Sequence, residues 1–466
     1  MTAIKFGTDG WRAIIARDFT TDNVKRISMG VALYLKQKDA SPSVVIGHDC
    51  RFGGALFMQT AASVFVSQGI TVHFARGFVS TPMISLAAHK LQVSMGIIIT
   101  ASHNPPSYNG YKLKGNYGGP ILPDELEQIE ALIPDAVPDV PETELLHNGG
   151  SLQEHDLEAW YIERVRTSFD LESIRNSGLR FAYDAMYGAG QGVMKKLFPE
   201  MALMHCDQNP GFEGVAPEPI LKNLKPFQEF IRSQGNIASG LATDGDADRI
   251  GLFDADGNFV DSHHIILLLI HYLHKYKGFN GKVITAFSVT DKVKTLCQHY
   301  GLEQQTVKIG FKYIAGFFLD QDILLGGEES GGIAVKGHIP ERDGIWMGLI
   351  VWEFMAKSGK TLSELIEEVY AITGSFCYDR ADLHITEELK QRILKACAEG
   401  RFTSFAGKEV VRTENIDGFK YHFAGGEWLM IRASGTEPVV RVYAEAADRQ
   451  ELEHFLQQSV KEILAI

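Results

Sequence analysis

"IIITASHNP", residues 97–105, runs three isoleucines directly into Thr100, Ser102, His103 and Asn104. A short unbroken apolar run reads as a buried strand. Here the strand ends on a hydroxyl, an imidazole and an amide, and in open α/β sheets ligands gather beyond the carboxyl ends of strands. The flanking segments fit such a sheet. "TDNVKRISMGVALYLKQK" (21–38) sets Val24, Ile27, Val31 and Leu35 on one helical stripe, with Thr21 and Asp22 suited to cap its start. "SVVIGHD" (43–49) reads as a buried strand, "GALFMQTAASVFVSQG" (54–69) as a helix ending on Gly69, and "ITVHFA" (70–75) as another strand. This β-α-β rhythm predicts a doubly wound domain.

The rhythm continues past a boundary rich in Pro and Gly, "AVPDVPETELLHNGG" (136–150). "YIERVRTSF" (161–169) is helical, and "LRFAYDAMYGAG" (179–190) is a strand ending in a glycine turn. "GKVITAFSV" (281–289) and "DILLGGEES" (322–330) predict strands of a third unit. The helix "ITEELKQRILKACAEG" (385–400) and the strands "GEWLMIRASG" (426–435) and "VVRVYAEA" (439–446) form a smaller α+β unit. The expected architecture is α/β. Three similar doubly wound domains cover 1–147, 148–255 and 256–372, and a smaller C-terminal α+β domain covers 373–466.

The chain has 466 residues, 45% hydrophobic and 22% charged, a globular profile that allows three or four domains. Lys plus Arg is 45 and Asp plus Glu is 58, so the net charge is −13. Such an acidic chain lacks the basic stripes of a general nucleic-acid binder. Any anionic ligand must be held by local positive charge or by a metal. Five dispersed cysteines, an odd count, argue against a disulfide framework and a zinc site, and predict a reducing cytoplasm. The N-terminus "MTAIKFGTDG" has no basic-then-apolar leader pattern. The longest apolar run, "IILLLI" (265–270), is far short of the roughly 20 residues that span a bilayer, so no membrane segment is expected.

Five predicted strand ends carry chemistry: Gly47–Arg51, the opening stretch, "LATDGDADR" (241–249), "GGEESGG" (326–332) and "RASGTEP" (432–438). Asp244, Asp246 and Asp248 at alternate positions repel one another unless a hard cation joins them, and oxygen ligands of this kind favour magnesium. Arg249 stands where a calcium EF-hand loop wants glycine, and position 255 is Ala where its glutamate belongs. Arg432, Ser434, Gly435 and Thr436, with Arg441 beyond, offer a guanidinium, two hydroxyls and a flexible backbone, a set suited to a phosphate dianion. Glu328, Glu329 and Ser330 could accept bonds from vicinal sugar hydroxyls. Two patterns carry no chemistry: "SGKT" (358–361) has Phe354 where a phosphate loop needs glycine, and His263–His264 mark the start of an apolar helix.

Together "FGTDGWR", "TASHNP", "YNGYKLK", "DGDADR", "GGEESGG" with "HIPERDG", and "RASGTEP" resemble, in order, the motifs of the α-D-phosphohexomutases, the phosphoglucomutase and phosphomannomutase superfamily. The resemblance covers nearly the whole chain. It implies four domains round a central cleft: a phosphoserine domain, a metal-loop domain, a sugar-loop domain and a phosphate-binding domain able to hinge.

By this resemblance Ser102 is the phosphoserine, and Mg2+ bridges its phosphate to Asp244, Asp246 and Asp248. Arg249 offsets charge, and His103 and Asn104 line the phosphate site. Lys112, Lys312 and Arg12 match positions in or near proton transfer. A lysine could serve there if neighbouring cations lower its pKa, whereas Arg12 neutralises charge. Glu328, Ser330 and His338 fall to the sugar, and Arg432, Ser434, Gly435, Thr436 and Arg441 to the distal phosphate. Phospho-Ser102 donates to a hexose monophosphate, and the hexose 1,6-bisphosphate turns over and returns its other phosphate.

Glu329 and Gly332 look most like the glucose-preferring members, with phosphomannomutase or dual activity as the alternative. A magnesium-dependent sugar phosphatase is more distant, and a non-catalytic sugar-phosphate binder is a further alternative. No G-x-S-x-G supports a serine hydrolase. The expected partner is a hexose phosphate, without nucleic acid or membrane, and the expected state is a monomer or dimer.

Overall fold

Three α/β units share one strand order, and in each the candidate loop joins the same two strands. The computed structural model describes residues 4–7, 9–141, 150–433 and 438–466. In the first unit Thr71–Ala75, Ser43–His48 and Met95–Ile99 lie parallel in that spatial order, and Tyr108–Gly115 returns antiparallel beside Met95–Ile99. The second unit repeats this with Ala202–Met204, Phe181–Asp184, Ser239–Thr243 and an antiparallel Ile250–Phe253. The third does so with Gln304–Val307, Lys282–Ala286, Ile323–Gly327 and an antiparallel Ile333–Val335. The "TASHNP", "DGDADR" and "EESGG" stretches are thus equivalent turns from the last parallel strand to its antiparallel neighbour. Met95–Ile99 and Ser239–Thr243 are buried at every residue, so their tips are rigid mounts.

The first two sheets reach further along the chain than expected. Leu152–His155 pairs parallel with Thr71–Ala75, and Phe259–Val260 pairs with Ile250–Phe253. Each segment lies beyond a boundary placed at 147 or 255, because covering an open sheet edge satisfies its backbone groups. The helix Thr21–Lys38 forms on its apolar stripe, but its cap is Thr20, whose side chain accepts from the Asn23 amide. "SGKT" closes one helix at Ser358 and caps the next at Thr361 with a capping box. His263 and His264 lie in the first turn of the helix Ser262–His271, capped by Asp261.

One continuous core runs through the three α/β units, from Val45 and Ile84 through Leu241 and Ile266 to Trp352. The C-terminal unit has its own core around Phe405, Tyr421, Val442 and Phe455. Its six strands are all antiparallel where they pair. It meets the third unit at a small cluster of Phe287, Trp428, Met430 and Tyr443. No helix among the described residues is long and apolar enough to cross a membrane.

Candidate active site

Ser102 sits at the tip of Met95–Ile99 with φ 52°, a left-handed conformation that is strained for a non-glycine residue. Two neighbours hold it there. Thr100 Oγ1 accepts from the Ser102 amide at 2.9 Å and donates to Asp49 Oδ2. The buried Arg51 guanidinium donates to the carbonyls of Ser102 and Asn104 (both 2.6 Å), Pro105 (2.9 Å) and Tyr108 (3.1 Å). The Gly47–Arg51 strand end is therefore the clamp of the serine turn, a role its residue types alone did not reveal.

Ser102 Oγ donates to Asp244 Oδ2 at 2.7 Å and lies 3.3 Å from His103 Nδ1. This approach depends on Gly245, where an added Cβ would stand 2.6 Å from the Ser102 carbonyl oxygen. Asp244, Asp246 and Asp248 are fully buried and can each offer one oxygen within 4.8 Å of the others. Asp244 Oδ1 accepts from the amides of Asp248 and Arg249 and so shapes its own turn. Asp246 Oδ2 takes Thr81 Oγ1 and Lys112 Nζ (2.7 Å), while Asp248 Oδ2 lies 3.2 Å from Lys112 Nζ and 2.7 Å from Arg342 Nη2.

The remaining oxygens, Oδ1 of Asp246 and Oδ1 of Asp248, are buried without a hydrogen-bond partner. An unpaired buried carboxylate oxygen is costly. A hard dication answers that cost, so the donor set fits a metal ion. Burial first, and then the charges of Asp246 and Asp248, push the Asp244 carboxyl well above the ordinary range.

The cations here are held as charges. Burial works against Lys112, but Asp246, Asp248 and Asp9 raise its pKa. The condition set for a proton-transfer lysine, neighbouring cations that lower its pKa, is not met at Lys112, because the carboxylates outweigh Arg342. Burial also opposes Arg249, and Asp244 and Asp248 raise it. His103 is driven well below its usual value by burial and by Arg249, Arg12 and Lys112, which disfavour its charged form. Arg12 donates to Asn104 Oδ1 at 2.7 Å and to Asp9 Oδ2 at 3.3 Å. Asp9 Oδ2 also pairs with Lys112 and Arg342, each at 2.8 Å. Sequence reasoning gave Asp9 and Arg342 no role. Both lie inside quoted motifs, "FGTDGWR" and "HIPERDG", and the excess of carboxylates in "DGDADR" was the available signal that further cations must face it.

The sugar-loop candidates separate. The Ile250 amide donates to Gly331 O at 3.2 Å, which seats this loop on the metal loop. Glu328 is buried, accepts from the Gly310 amide at 2.9 Å, and is raised to about 7 by burial, with Arg342 and Arg249 opposing. Glu329 turns to the C-terminal unit, accepting from Arg380 at 3.1 Å and Ser288 at 3.2 Å. Ser330 is half-buried beside it.

His338 does not join them. Its side chain has no exposed surface, stacks on Trp346 at 3.6 Å and pairs with Asp343 at 3.0 Å. It packs the base of a helix and has no face for a sugar. Lys312 starts the short helix Lys312–Ala315, half-buried, with its ammonium 5.4 Å from the centre of the Tyr313 ring.

Arg432 and Arg441 are direct cross-strand partners. Asp417 Oδ2 lies 3.2 Å from Arg432 Nε, and Asp382 Oδ1 lies 3.6 Å from Arg441 Nε. Like charges opposed on a sheet repel, so this pair is suited to an anion. Ser434, Gly435 and Thr436 lie outside the described residues.

Family models agree with this arrangement. The model for the phosphoglucomutase/phosphomannomutase α/β/α domain I matches residues 3–137, domain II 159–257, domain III 261–372, and the C-terminal domain 389–462. A phosphoglucomutase/phosphomannomutase of Thermococcus kodakarensis is 30% identical, over 98% of this chain and 97% of its own. A phosphoglucosamine mutase of Carboxydothermus hydrogenoformans is 28% identical over 99% and 98%. The crystal structure of a putative phosphomannomutase from Thermus thermophilus superimposes with a TM-score of 0.88 at 33% identity, covering 99% of both chains. With a buried serine hydroxyl on a carboxylate trio and all four domains matched in order, the chain belongs to the phosphoglucomutase/phosphomannomutase family of α-D-phosphohexomutases, isomerase-class phosphotransferases.

Proposed function

We propose that this protein interconverts glucose 1-phosphate and glucose 6-phosphate through a phosphorylated Ser102 and a bound hexose 1,6-bisphosphate. The observation that carries the reading is the 2.7 Å contact of Ser102 Oγ with Asp244, beside two unpartnered carboxylate oxygens. Asp244, Asp246 and Asp248 would hold magnesium, the hard ion that oxygen donors favour. When bound, it would supply Lewis-acid stabilisation of the transferring phosphoryl group.

The chain's own residues do the rest. The bond from phosphorus to Ser102 Oγ breaks as one forms to a sugar hydroxyl oxygen. The hydroxyl proton passes, on balance, to Ser102 Oγ, and His103 Nδ1, 3.3 Å from that oxygen, is placed to hold a proton at the leaving end. Arg249 and Lys112 stay charged, and with the Arg12 guanidinium they would face the phosphoryl oxygens; Lys312 remains a further candidate near proton transfer. Glu328 and Ser330 receive the sugar hydroxyls, and Arg432 and Arg441, with the 434–436 turn, take the distal phosphate. Return of the other phosphate reverses each step. The compartment fitting five free thiols is the cytoplasm.

A glucose-type sugar is favoured by the state of Glu329. Its carboxylate is taken up by Arg380 and Ser288 and offers no free charge to a 2-ammonium group. Assaying glucose 1-phosphate, mannose 1-phosphate and glucosamine 1-phosphate side by side, with a trace of bisphosphate, tests the reading. The highest kcat/KM is expected for glucose 1-phosphate. Dominance of glucosamine 1-phosphate would reverse the substrate assignment, and release of inorganic phosphate in place of isomer would make the protein a phosphatase.

A further inference from the structure

The joint between the third and fourth units contains a chain of hydrogen bonds that the mechanism above leaves unused. Asp417 lies between the strands Lys408–Glu414 and Phe419–Phe423. One of its oxygens, Oδ2, accepts from two donors on different units: the Ile309 amide at 3.0 Å and Arg432 Nε at 3.2 Å. The next amide, Gly310, donates to Glu328 Oε1 at 2.9 Å. Gly310 has φ 129°, a value open to glycine, and this lets consecutive N–H groups reach two different carboxylates. A parallel link runs through Arg380, which donates to Glu329 Oε1 at 3.1 Å and to Asp382 Oδ2 at 3.2 Å, with Arg441 beside Asp382. Each arginine of the cross-strand pair is thus tied, through an aspartate, toward one of the two consecutive glutamates of the sugar loop.

We propose that Asp417 is a positioning residue that couples phosphate capture at Arg432 to the placement of Glu328 against the sugar, a coupling that rests on the roles given to those two residues above. A phosphate dianion arriving at Arg432 takes over part of its charge. Asp417 Oδ2, then shared less, binds the Ile309 amide more firmly and stiffens the 308–312 turn. The Gly310 amide is then held more firmly on Glu328, and the carboxylate is more rigidly set for sugar hydroxyls when a phosphate is in place. A free sugar lacking phosphate would meet a less ordered loop.

Two measurements on the full chain test this. In hydrogen exchange, inorganic phosphate should slow the 308–312 segment of the wild-type protein and leave that segment of Asp417→Ala unchanged. No slowing in the wild type, or equal slowing in the variant, overturns the coupling. In steady-state kinetics, Asp417→Ala should raise KM for glucose 1-phosphate roughly 10-fold or more, with a smaller change in kcat. The ratio of kcat/KM for glucose 1-phosphate over mannose 1-phosphate should move toward one.

Asp417→Asn, which keeps an acceptor for Ile309 but loses the charge for Arg432, should restore that ratio and not the KM. A merely structural Asp417 would scale both substrates alike, and an unchanged ratio in Asp417→Ala overturns the proposal. Wild-type protein that isomerises neither sugar would defeat the substrate assignment instead, since the exchange measurement needs no turnover.

Discussion

Ser102 shows what single residues contribute here. Its hydroxyl is useful because a strained turn, a threonine and four bonds from Arg51 present it to Asp244. Ser102→Ala should cut isomerisation by more than about 10⁴-fold, the scale on which loss of a nucleophile acts. Circular dichroism and the thermal midpoint should stay near wild type, and a near-normal rate would sink the assignment. Glu328 supplies a pH signature. Burial lifts it from 4.5 to about 7, so between those values the folded state binds the extra proton. Stability from this group therefore falls as pH rises through that window, by roughly 3 kcal/mol in all. Binding of sugar hydroxyls needs the ionised form, so kcat/KM should rise through about pH 7. Glu328→Gln should flatten the profile and gain relative stability at pH 8 over pH 5 in urea unfolding. An unaltered profile would remove Glu328 from sugar recognition.

Among the elements, the antiparallel return strands matter most. The alternation of apolar runs made the parallel strands legible, and the helices between them were legible from their stripes. What the pattern could not show was that Tyr108–Gly115, Ile250–Phe253 and Ile333–Val335 each turn back beside the preceding strand. Both a crossover and a hairpin satisfy the same local periodicity. The turn-back is what makes the three loops equivalent and seats one upon the next. In the fourth unit the decisive feature is register: Arg432 opposes Arg441. Arg432→Ala should raise KM for glucose 1-phosphate and glucose 6-phosphate alike, by about 10- to 100-fold, as expected when a charged hydrogen-bond partner is lost. An effect confined to one isomer would show that the two ends of the sugar do not share this site.

At the level of the whole molecule, three units share one core and the fourth rests on a small aromatic cluster and a few ion pairs. Such a joint is the natural place for motion around a bound sugar. The carboxylate trio ties the first two units through Ser102, so magnesium should stabilise the fold. Added to chelator-treated protein at about 100 times its Kd, it should contribute about 2.7 kcal/mol by mass action. The thermal midpoint should rise and activity return, whereas Asp246→Asn should show neither, and an equal rise in that variant would place the ion elsewhere. Much of this was written in the sequence. Periodicity determined the α/β alternation, and the spacing of "DGDADR" and the end of "IIITASHNP" marked the acids and the serine, because short-range chemistry is a property of neighbouring residues. Only the tertiary structure decided that Asp9 and Arg342, 333 positions apart, pair with each other at 2.8 Å, with Arg342 also on Asp248 at 2.7 Å. It also turned Glu329 to Arg380, and withdrew His338 behind Trp346. Those outcomes depend on which surfaces the packed units bring together, and a buried charge takes its partner from whichever chain segment arrives beside it.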